Sequence, residues 1–281
     1  MTHIICAKGS YDYNGGDGKH SGGTPDTQTE AATELIIQRL KLISMVNTNE
    51  INPNDVTIVT LPERKFLYEN IFNNVIDYVD GHNYDGVDLV IQNTHLAKTL
   101  PYRPFYCDYE RDKELIHNVK YNDEILNMEM DDFLVCIPRL KNSDTRRNLD
   151  KQYWIDFINL SKNKFSKIIV FGKGNEDLNG GNVVYVDTLQ DYCSYIHHKN
   201  CKHVVSSISG PCHYVQQFGN VSNKTTLTMI DNLDMISENK EARDPSYFNP
   251  CINFTNVQVN IIKGMPSVEE LGERIWPKWW E

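Results

Sequence analysis

The chain has 281 residues, of which 40% are hydrophobic and 23% are charged, and its formal net charge at pH 7 is −10. The apolar fraction excludes wholesale disorder, and the length allows one large domain or two smaller ones. Sequence-independent binding of nucleic acid requires a surplus of lysine and arginine. The net negative charge therefore disfavours nucleic acid as a partner without excluding it. A small local phosphate site is compatible with the charge.

The sequence lacks the patterns that indicate a membrane span, a signal peptide or a zinc site. The sequence contains no run of about 18 or more apolar residues, as a membrane span requires. Its start, Met1 to Cys6, lacks a basic region followed by a long apolar core, so we expect no signal peptide and a cytoplasmic protein. Seven cysteines are present, but none forms the Cys-x-x-Cys pair of structural zinc sites, and no metal site is predicted.

In the first half, apolar runs predict strands at residues 3–7, 56–61 and 87–92. A long polar loop rich in glycine follows the first strand, and a helix is predicted over residues 26–44. A second helix is predicted over residues 63–79, because apolar residues recur there at helical spacing: Phe66, Leu67, Ile71, Phe72, Val75 and Ile76. Strands that alternate with helices in this way indicate βαβ units and a parallel sheet.

The second half restarts this alternation after an irregular stretch at residues 93–131. Strands are predicted at residues 133–137, 167–171, 183–186, 204–207, 226–230 and 257–262. Helices are predicted at residues 151–163, 189–198, 212–218 and 268–275. In the first of these helices, Trp154, Phe157, Ile158 and Leu160 are expected to face inward. The predicted fold is α/β, with two Rossmann-like αβα domains, residues 1–130 and 131–281, facing each other across a cleft.

Ligands of open α/β sheets bind beyond the carboxyl ends of the strands. The loop after the strand at residues 133–137 concentrates positive charge there, together with two hydroxyl groups. Such a loop suits a diphosphate, because each cation adds charge-assisted hydrogen bonds. A solvated basic loop is the alternative. The four cations are Arg139, Lys141, Arg146 and Arg147.

A second candidate follows the strand at residues 204–207, in the run Ser209-Gly210-Pro211-Cys212-His213. Proline is well placed at a first helical position, where its missing N–H costs nothing. The N-terminus of that helix would offer free amides and partial positive charge to a phosphate, and His213 would lie in the first turn. An ordinary strand–turn–helix with a structural histidine is the alternative.

A third candidate is Phe171-Gly172-Lys173-Gly174-Asn175, which follows an apolar strand. These glycines would cradle a nucleobase against the backbone or simply form a tight turn. The run lacks the Gly-x-Gly-x-x-Gly of a dinucleotide site, and residues 16–20 do not form the phosphate loop of a nucleoside triphosphatase.

The three segments together resemble the heptosyltransferase family of glycosyltransferases (family nine, GT-B fold), over roughly residues 131–220. The run at residues 209–213 matches the late signature Asp-Ser/Thr-Gly-Pro-x-His of that family, and Phe218-Gly219 closes the following helix as expected. Tyr153-Trp154 occupies the family's tryptophan-containing helix. Ile208 stands in place of the signature aspartate, so the role of that carboxylate is lost or supplied elsewhere.

The resemblance implies a GT-B transferase that moves a sugar from a nucleotide-diphosphate sugar to a hydroxyl acceptor, a sugar or another small molecule. Residues 1–130 would form the acceptor-side domain, and residues 131–281 would bind the donor. Neither a metal nor another cofactor is expected, since fixed cations and a helix dipole would neutralise the diphosphate in place of a metal ion.

The resemblance also implies roles for individual residues. A general base must deprotonate the acceptor, and the long loop after the first strand offers Asp12, Asp17, His20 and Asp26. Asp17, which glycines flank, is favoured over Asp12, and Asp26 is alternatively a helix N-cap. The nucleoside would contact Gly172, Lys173 and Asp187. The diphosphate would contact Arg139, Lys141, Arg146, Arg147, Ser209, Gly210, Pro211 and His213.

Three other readings stay open. A sugar-nucleotide epimerase would use the same donor site but needs carboxylates near the sugar. A non-catalytic nucleotide- or sugar-binding protein would keep the fold and lose the base. A glycosyltransferase acting on modified DNA bases is compatible with aromatic residues near position 105, since aromatic faces stack on bases, although the acidic charge counts against it.

Overall fold

The computed structural model describes residues 3–6, 32–77, 87–90, 109–140, 148–172, 174–219, 225–232 and 257–276. The chain divides into two compact units, Met1–Tyr121 and Asn122–Glu281. Each unit contains one parallel β-sheet together with helices, so the predicted α/β class is confirmed. Among the helices of these ranges, none combines the length and the apolar character that crossing a membrane requires.

In the first unit, four parallel strands lie in the order β3-β2-β1-β4. The strands are β1 (His3–Cys6), β2 (Val56–Thr60), β3 (Asn74–Asp77) and β4 (Val87–Val90). The helices are α1 (Ala32–Asn47), a 3₁₀ helix (Pro62–Leu67) and α2 (Tyr109–Ile116). Strand β2 is buried along its whole length, as expected for an inner strand of a parallel sheet.

The predicted helix over residues 63–79 is wrong. Only Pro62–Leu67 is helical, as a short 3₁₀ segment, and β3 follows it. Val75 pairs with Ile58 of β2 in the parallel register, where a β-branched side chain fits the pleated surface. Ile76 is 38% exposed instead of buried. Sheet pairing therefore overrides the helical spacing of the apolar residues.

A buried arginine ties α1 to two other elements of the first unit. Arg39 is 1% exposed. Its Nε donates to the Leu67 carbonyl at 2.9 Å, and Nη1 donates to the Ile116 carbonyl at 2.9 Å. Its Nη2 donates to the Leu115 carbonyl at 3.0 Å. The last carbonyls of a helix have no intrahelical donor, so Arg39 supplies donors to the end of α2.

The second unit holds six parallel strands in the order β7-β6-β5-β8-β9-β10. The strands are β5 (Phe133–Ile137), β6 (Ile168–Phe171), β7 (Val183–Val186), β8 (Cys201–Ser207), β9 (Thr226–Asp231) and β10 (Gln258–Lys263). The helices are α3 (Asp123–Leu126), α4 (Lys151–Ser161), α5 (Leu189–His197), α6 (Pro211–Phe218) and α7 (Val268–Ile275), and Glu176–Leu178 forms a 3₁₀ turn. The predicted bounds of β5, β7 and α7 are confirmed without change.

Helices cover both faces of this sheet. On one face, Leu134 and Cys136 of β5 share a core with Trp154 of α4 and Leu271 of α7. The opposite face carries α5, whose Tyr192 stacks on Phe171 of β6. Leu160, predicted to face inward, is 36% exposed, because the buried stripe of α4 runs through Tyr153, Trp154, Phe157, Ile158 and Ser161.

The strand order determines where a ligand would bind. From β5 the chain adds β6 and β7 on one side and then returns to place β8 on the other side of β5. Successive connections leave β5 and β8 in opposite directions, which opens a crevice at their carboxyl ends. In doubly wound sheets this switch point is the ligand site.

We expect the second unit to lose stability in acid through His203 of β8. Burial lowers the pKa of His203 to about 4, below its ordinary value of about 6.5. The unfolded chain therefore binds a proton that the folded chain excludes, so this contribution is complete above pH ~6.5 and is lost as the pH falls toward 4. The urea midpoint should drop between pH 7 and pH 5, and His203→Gln should reduce that drop. An equal drop in the variant would contradict this assignment.

Candidate functional site

The carboxyl ends of β5 and β8 are joined by a buried hydroxyl. Ser206 is fully buried, and its Oγ donates to the Ile137 carbonyl at 3.1 Å. Two residues after β5, Arg139 is only 5% exposed, and its Nη1 donates to Asn148 Oδ1 at 2.7 Å. The guanidinium is therefore held near the switch point by Asn148, which lies three residues before α4. The remaining predicted cations of this loop, Lys141, Arg146 and Arg147, lie outside the described residues.

The turn after β8 is organised by a chain of small polar side chains. Ser206 Oγ lies 3.1 Å from Ser209 Oγ, and Ser209 Oγ lies 3.8 Å from Cys212 Sγ. The Ile208 N–H donates to the Ile230 carbonyl of β9 at 3.3 Å. These contacts fix the backbone between the end of β8 and the start of α6.

The amides of this turn differ in what they bond to. The N–H of Cys212 donates to the Ser209 carbonyl at 3.2 Å, and the N–H of His213 donates to the Gly210 carbonyl at 3.0 Å. Pro211 has no N–H. The N–H of Ser209 faces the Cys212 thiol, and that of Gly210 makes no backbone hydrogen bond within the described part of the chain. An anion at the start of α6 would therefore meet the Gly210 amide, which carries the partial positive charge of the helix N-terminus.

Cys212 lies beside those amides but is not a nucleophile. Its side chain is fully buried, and burial raises the pKa of the thiol, against the opposing hydrogen bonds from Ser206 and Ser209. The thiolate, which is the reactive form, is therefore disfavoured at neutral pH. His213, in the first turn of α6, is 9% exposed.

The loop after β6 lies against the loop after β5. Gly172 and Gly174 both adopt positive φ, at 113° and 90°. A Cβ on Gly172 would lie 3.6 Å from the Pro138 carbonyl, and one on Gly174 would lie 3.7 Å from the Cβ of Leu140. The glycines thus let the two loops approach closely, as expected if they form the tight turn that the sequence offered as one alternative. Lys173 lies outside the described residues.

Asn175 connects these two loops, and the sequence analysis assigned it no role. It is fully buried. Its Nδ2 donates to the Pro138 carbonyl at 3.0 Å, to the Gly172 carbonyl at 2.9 Å and to the Phe171 carbonyl at 3.4 Å. A signal was present in the sequence, since an asparagine just after a Gly-x-Gly turn commonly bonds to nearby backbone.

Tyr192 of α5 connects the end of β6 to the start of α6. Its ring stacks on Phe171 with centroids 4.2 Å apart, and its phenol donates to the Pro211 carbonyl at 3.0 Å. Burial raises the pKa of Tyr192 well above its ordinary value, so the phenol stays a donor. No local pattern marks Tyr192, because both partners come from distant parts of the chain.

The structure brings some predicted residues together and separates others. Arg139, Gly172 and the Ser209–Gly210 turn follow three neighbouring strands, β5, β6 and β8. Asp187 follows the edge strand β7, two strands from β5, or about 10 Å at the usual strand spacing. Asp17, His20 and Asp26 lie outside the described residues.

A buried carboxylate also lies at this edge. Asp231, at the carboxyl end of β9, is 1% exposed, and the sequence analysis did not single it out. Within the ranges that the structure describes, no group of three or more His, Cys, Asp or Glu side chains is arranged to hold a metal ion.

Comparison with solved structures supports the fold. The E. coli heptosyltransferase WaaC with ADP has a TM-score of 0.54 and 11% identity over 98% of this chain and 99% of that chain. The E. coli ADP-heptose LPS heptosyltransferase II has a TM-score of 0.55 and 8% identity over 97% of each chain. WaaC with ADP-2-deoxy-2-fluoro heptose has a TM-score of 0.52 and 12% identity over 98% and 99% of the two chains.

These likenesses cover nearly the whole chain, so the predicted resemblance to heptosyltransferases is confirmed at the level of the fold. No protein-family model matches the chain. No curated protein matches it by sequence.

We expect Gly172→Ala to destabilise the second unit by about 2–3 kcal/mol, since strained backbone costs about 1–3 kcal/mol per residue. Its φ of 113° disfavours a side chain, and the new Cβ would lie 3.3 Å from Asn175 Nδ2. Gly181→Ala is the control, because its φ is 65° and nothing lies within 4 Å of its Cβ position. That variant should lose about 1 kcal/mol. Equal losses in urea unfolding would show that the loop contact adds nothing.

Proposed function

We propose that this protein is a glycosyltransferase that takes a nucleoside-diphosphate sugar as donor and a hydroxyl group as acceptor. The observation that carries the proposal is the pairing of two anion-binding elements at one switch point. Arg139 follows β5 and is nearly buried, and the open amide of Gly210 at the start of α6 follows the neighbouring strand β8. A compact dianion placed there would meet a fixed cation and a helix N-terminus together.

This arrangement suits the chemistry of glycosyl transfer. As the bond between the sugar and the diphosphate breaks, negative charge grows on the diphosphate oxygens. Preorganised cations and amides stabilise that charge without reorganising, which is the largest catalytic contribution such a site can make. In the proposal, Lys141, Arg146, Arg147, Pro211 and His213 complete the diphosphate site, and no metal is required.

The comparisons support the identity of the donor. Two of the similar structures are of WaaC, one with ADP and the other with ADP-2-deoxy-2-fluoro heptose. We infer a donor of the same chemical kind for this chain. Gly172 and Lys173 would contact the nucleoside in the loop beside β5, and Asp187 would bind its ribose. The first unit would bind the acceptor, with Asp17 as general base and His20 and Asp26 nearby.

One observation favours a second candidate, a binding protein without catalytic activity. Ile208 occupies the place of the aspartate in the signature, and it is 8% exposed. An apolar side chain there cannot accept a hydrogen bond or stabilise positive charge. Slow hydrolysis of a nucleoside-diphosphate sugar in water separates the two candidates, because a transferase releases nucleoside diphosphate and a binding protein does not.

We expect Arg139→Met to weaken nucleoside-diphosphate binding by about tenfold or more, since hydrogen bonds to charged groups contribute about 1.5–3 kcal/mol. Isothermal titration with ADP, UDP and GDP measures this change. Arg274→Met is the matched control, since Arg274 is an exposed arginine in the last turn of α7. Unchanged affinity in Arg139→Met would remove Arg139 from the site.

We expect Asp17→Ala to reduce donor turnover by about 100-fold or more, since general base catalysis contributes 10²–10⁴-fold. The affinity for nucleoside diphosphate should stay unchanged, because the base acts on the acceptor. Asp12→Ala, in the same loop, is the control and should retain turnover. Full turnover in Asp17→Ala would show that another group is the base.

A further inference from the structure

We infer that Asn175 is a positioning residue of the donor site: by holding the Pro138 carbonyl it determines where Arg139 presents its guanidinium. The inference rests on the proposed function, because Arg139 is placed there in contact with the diphosphate. Asn175 itself would not contact the donor. It acts on the backbone from which Arg139 projects.

Three carbonyls converge on one side-chain amide. Nδ2 of Asn175 lies 3.0 Å from the Pro138 oxygen, 2.9 Å from the Gly172 oxygen and 3.4 Å from the Phe171 oxygen. Carbonyl oxygens only accept, so the NH₂ group and not the amide oxygen must face them. Pro138 directly precedes Arg139, and the hydrogen bond to its carbonyl therefore restrains the peptide group that joins the two residues.

Arg139 is restrained from a second direction as well. Its Nη1 donates to Asn148 Oδ1 at 2.7 Å, and its side chain is 5% exposed. The side chain is thus held by Asn148 and the backbone by Asn175. A cation fixed at both ends keeps its position when a phosphate binds, so less ordering is required at that moment.

The surroundings of Asn175 are shaped for this contact. Gly172 has a φ of 113°, and a Cβ there would lie 3.3 Å from Asn175 Nδ2 and 3.6 Å from the Pro138 oxygen. A side chain at position 172 would therefore crowd the path between the amide and the carbonyl. Oδ1 of Asn175 is buried without a hydrogen-bond partner among the described residues. The side chain is used there as a donor alone, at the cost of an unsatisfied acceptor.

A second asparagine in the same sheet provides a matched control. Nδ2 of Asn182 donates to the Lys162 carbonyl at 3.0 Å and to the Phe165 carbonyl at 2.9 Å. Asn182 precedes β7, and its carbonyl accepts from the N–H of Ile168 at the start of β6. It therefore joins two chain segments by the same chemistry at the amino edge of the sheet, away from the switch point.

The experiment compares Asn175→Ala and Asn175→Ser with Asn182→Ala. Isothermal titration with ADP, UDP, GDP, CDP and dTDP measures donor-site affinity, and thermal unfolding measures the general loss of stability. Limited trypsin digestion without nucleotide measures cleavage after Arg139. Asn175→Ser keeps a hydroxyl donor and leaves a smaller cavity, so it reports on the contact even where the alanine variant does not fold.

We expect both Asn175 variants to bind the preferred nucleoside diphosphate about ten- to a hundredfold more weakly, since a displacement of about 1 Å has effects of that order. Cleavage after Arg139 should be faster than in the wild type. Asn182→Ala should lower the melting temperature yet leave affinity and cleavage after Arg139 unchanged.

Wild-type affinity and wild-type cleavage in folded Asn175 variants would overturn the inference. Equal weakening in Asn182→Ala would also overturn it, because the effect would then follow general destabilisation. If the wild-type chain binds none of the five nucleotides, the proposed function fails, and the donor-positioning role fails with it whatever the cleavage pattern. If the wild type binds a nucleotide and the Asn175 variants bind it equally well, the role of Asn175 is refuted and the proposed function is not.

Discussion

The parallel sheet of the second unit, with its order reversing between β5 and β8, is the constraint on which the candidate site depends. Parallel strands all end at the same edge, so each loop that leaves this edge meets the start of a helix or turn. Where the order reverses, the two central loops diverge and leave a crevice between them. Arg139 and the Ser209–Gly210 turn reach that crevice because they follow these two strands. Their convergence therefore follows from topology.

Buried hydrogen bonds then lock this edge into one geometry. Ser206 of β8 donates a hydrogen bond to the end of β5, and Asn175, in the loop after β6, donates one to the loop after β5. Tyr192 of α5 donates one to the start of α6. The three carbonyls lie at the end of β5, in the loop after it and at the start of α6, where an unpaired buried group would be costly. The chain carries a net charge of −10, yet a nearly buried cation, Arg139, lies just beyond β5. Solvent screens distant charges, so the net charge does not exclude an anion beside a fixed cation.

Much of the second unit could be predicted from local sequence. Inner parallel strands are buried on both faces, so β5 and β6 are short continuous apolar runs, whose length favours strands over helices. Local sequence also marks where helices begin. One example is the capping box that Ser267 and Glu270 form at the start of α7. The helix predicted over residues 63–79 was wrong because the apolar spacing there fits a helix. In the structure, Val75 and Ile76 instead belong to a strand that pairs with β2. That pairing exists only once β2 is in place.

The sequence by itself determined the α/β class, the bounds of most elements of the second unit, and the three segments that follow β5, β6 and β8. These properties depend on residues within a few positions of one another. Only the tertiary structure decided that Asp187 lies at an edge strand, and that the open amide is that of Gly210 and not that of His213. It also decided the roles of Asn175 and Tyr192, whose partners lie 37 and 19 residues away. Hydrogen bonds over such separations leave no periodic trace in a sequence, because they form between loops that only the sheet brings together.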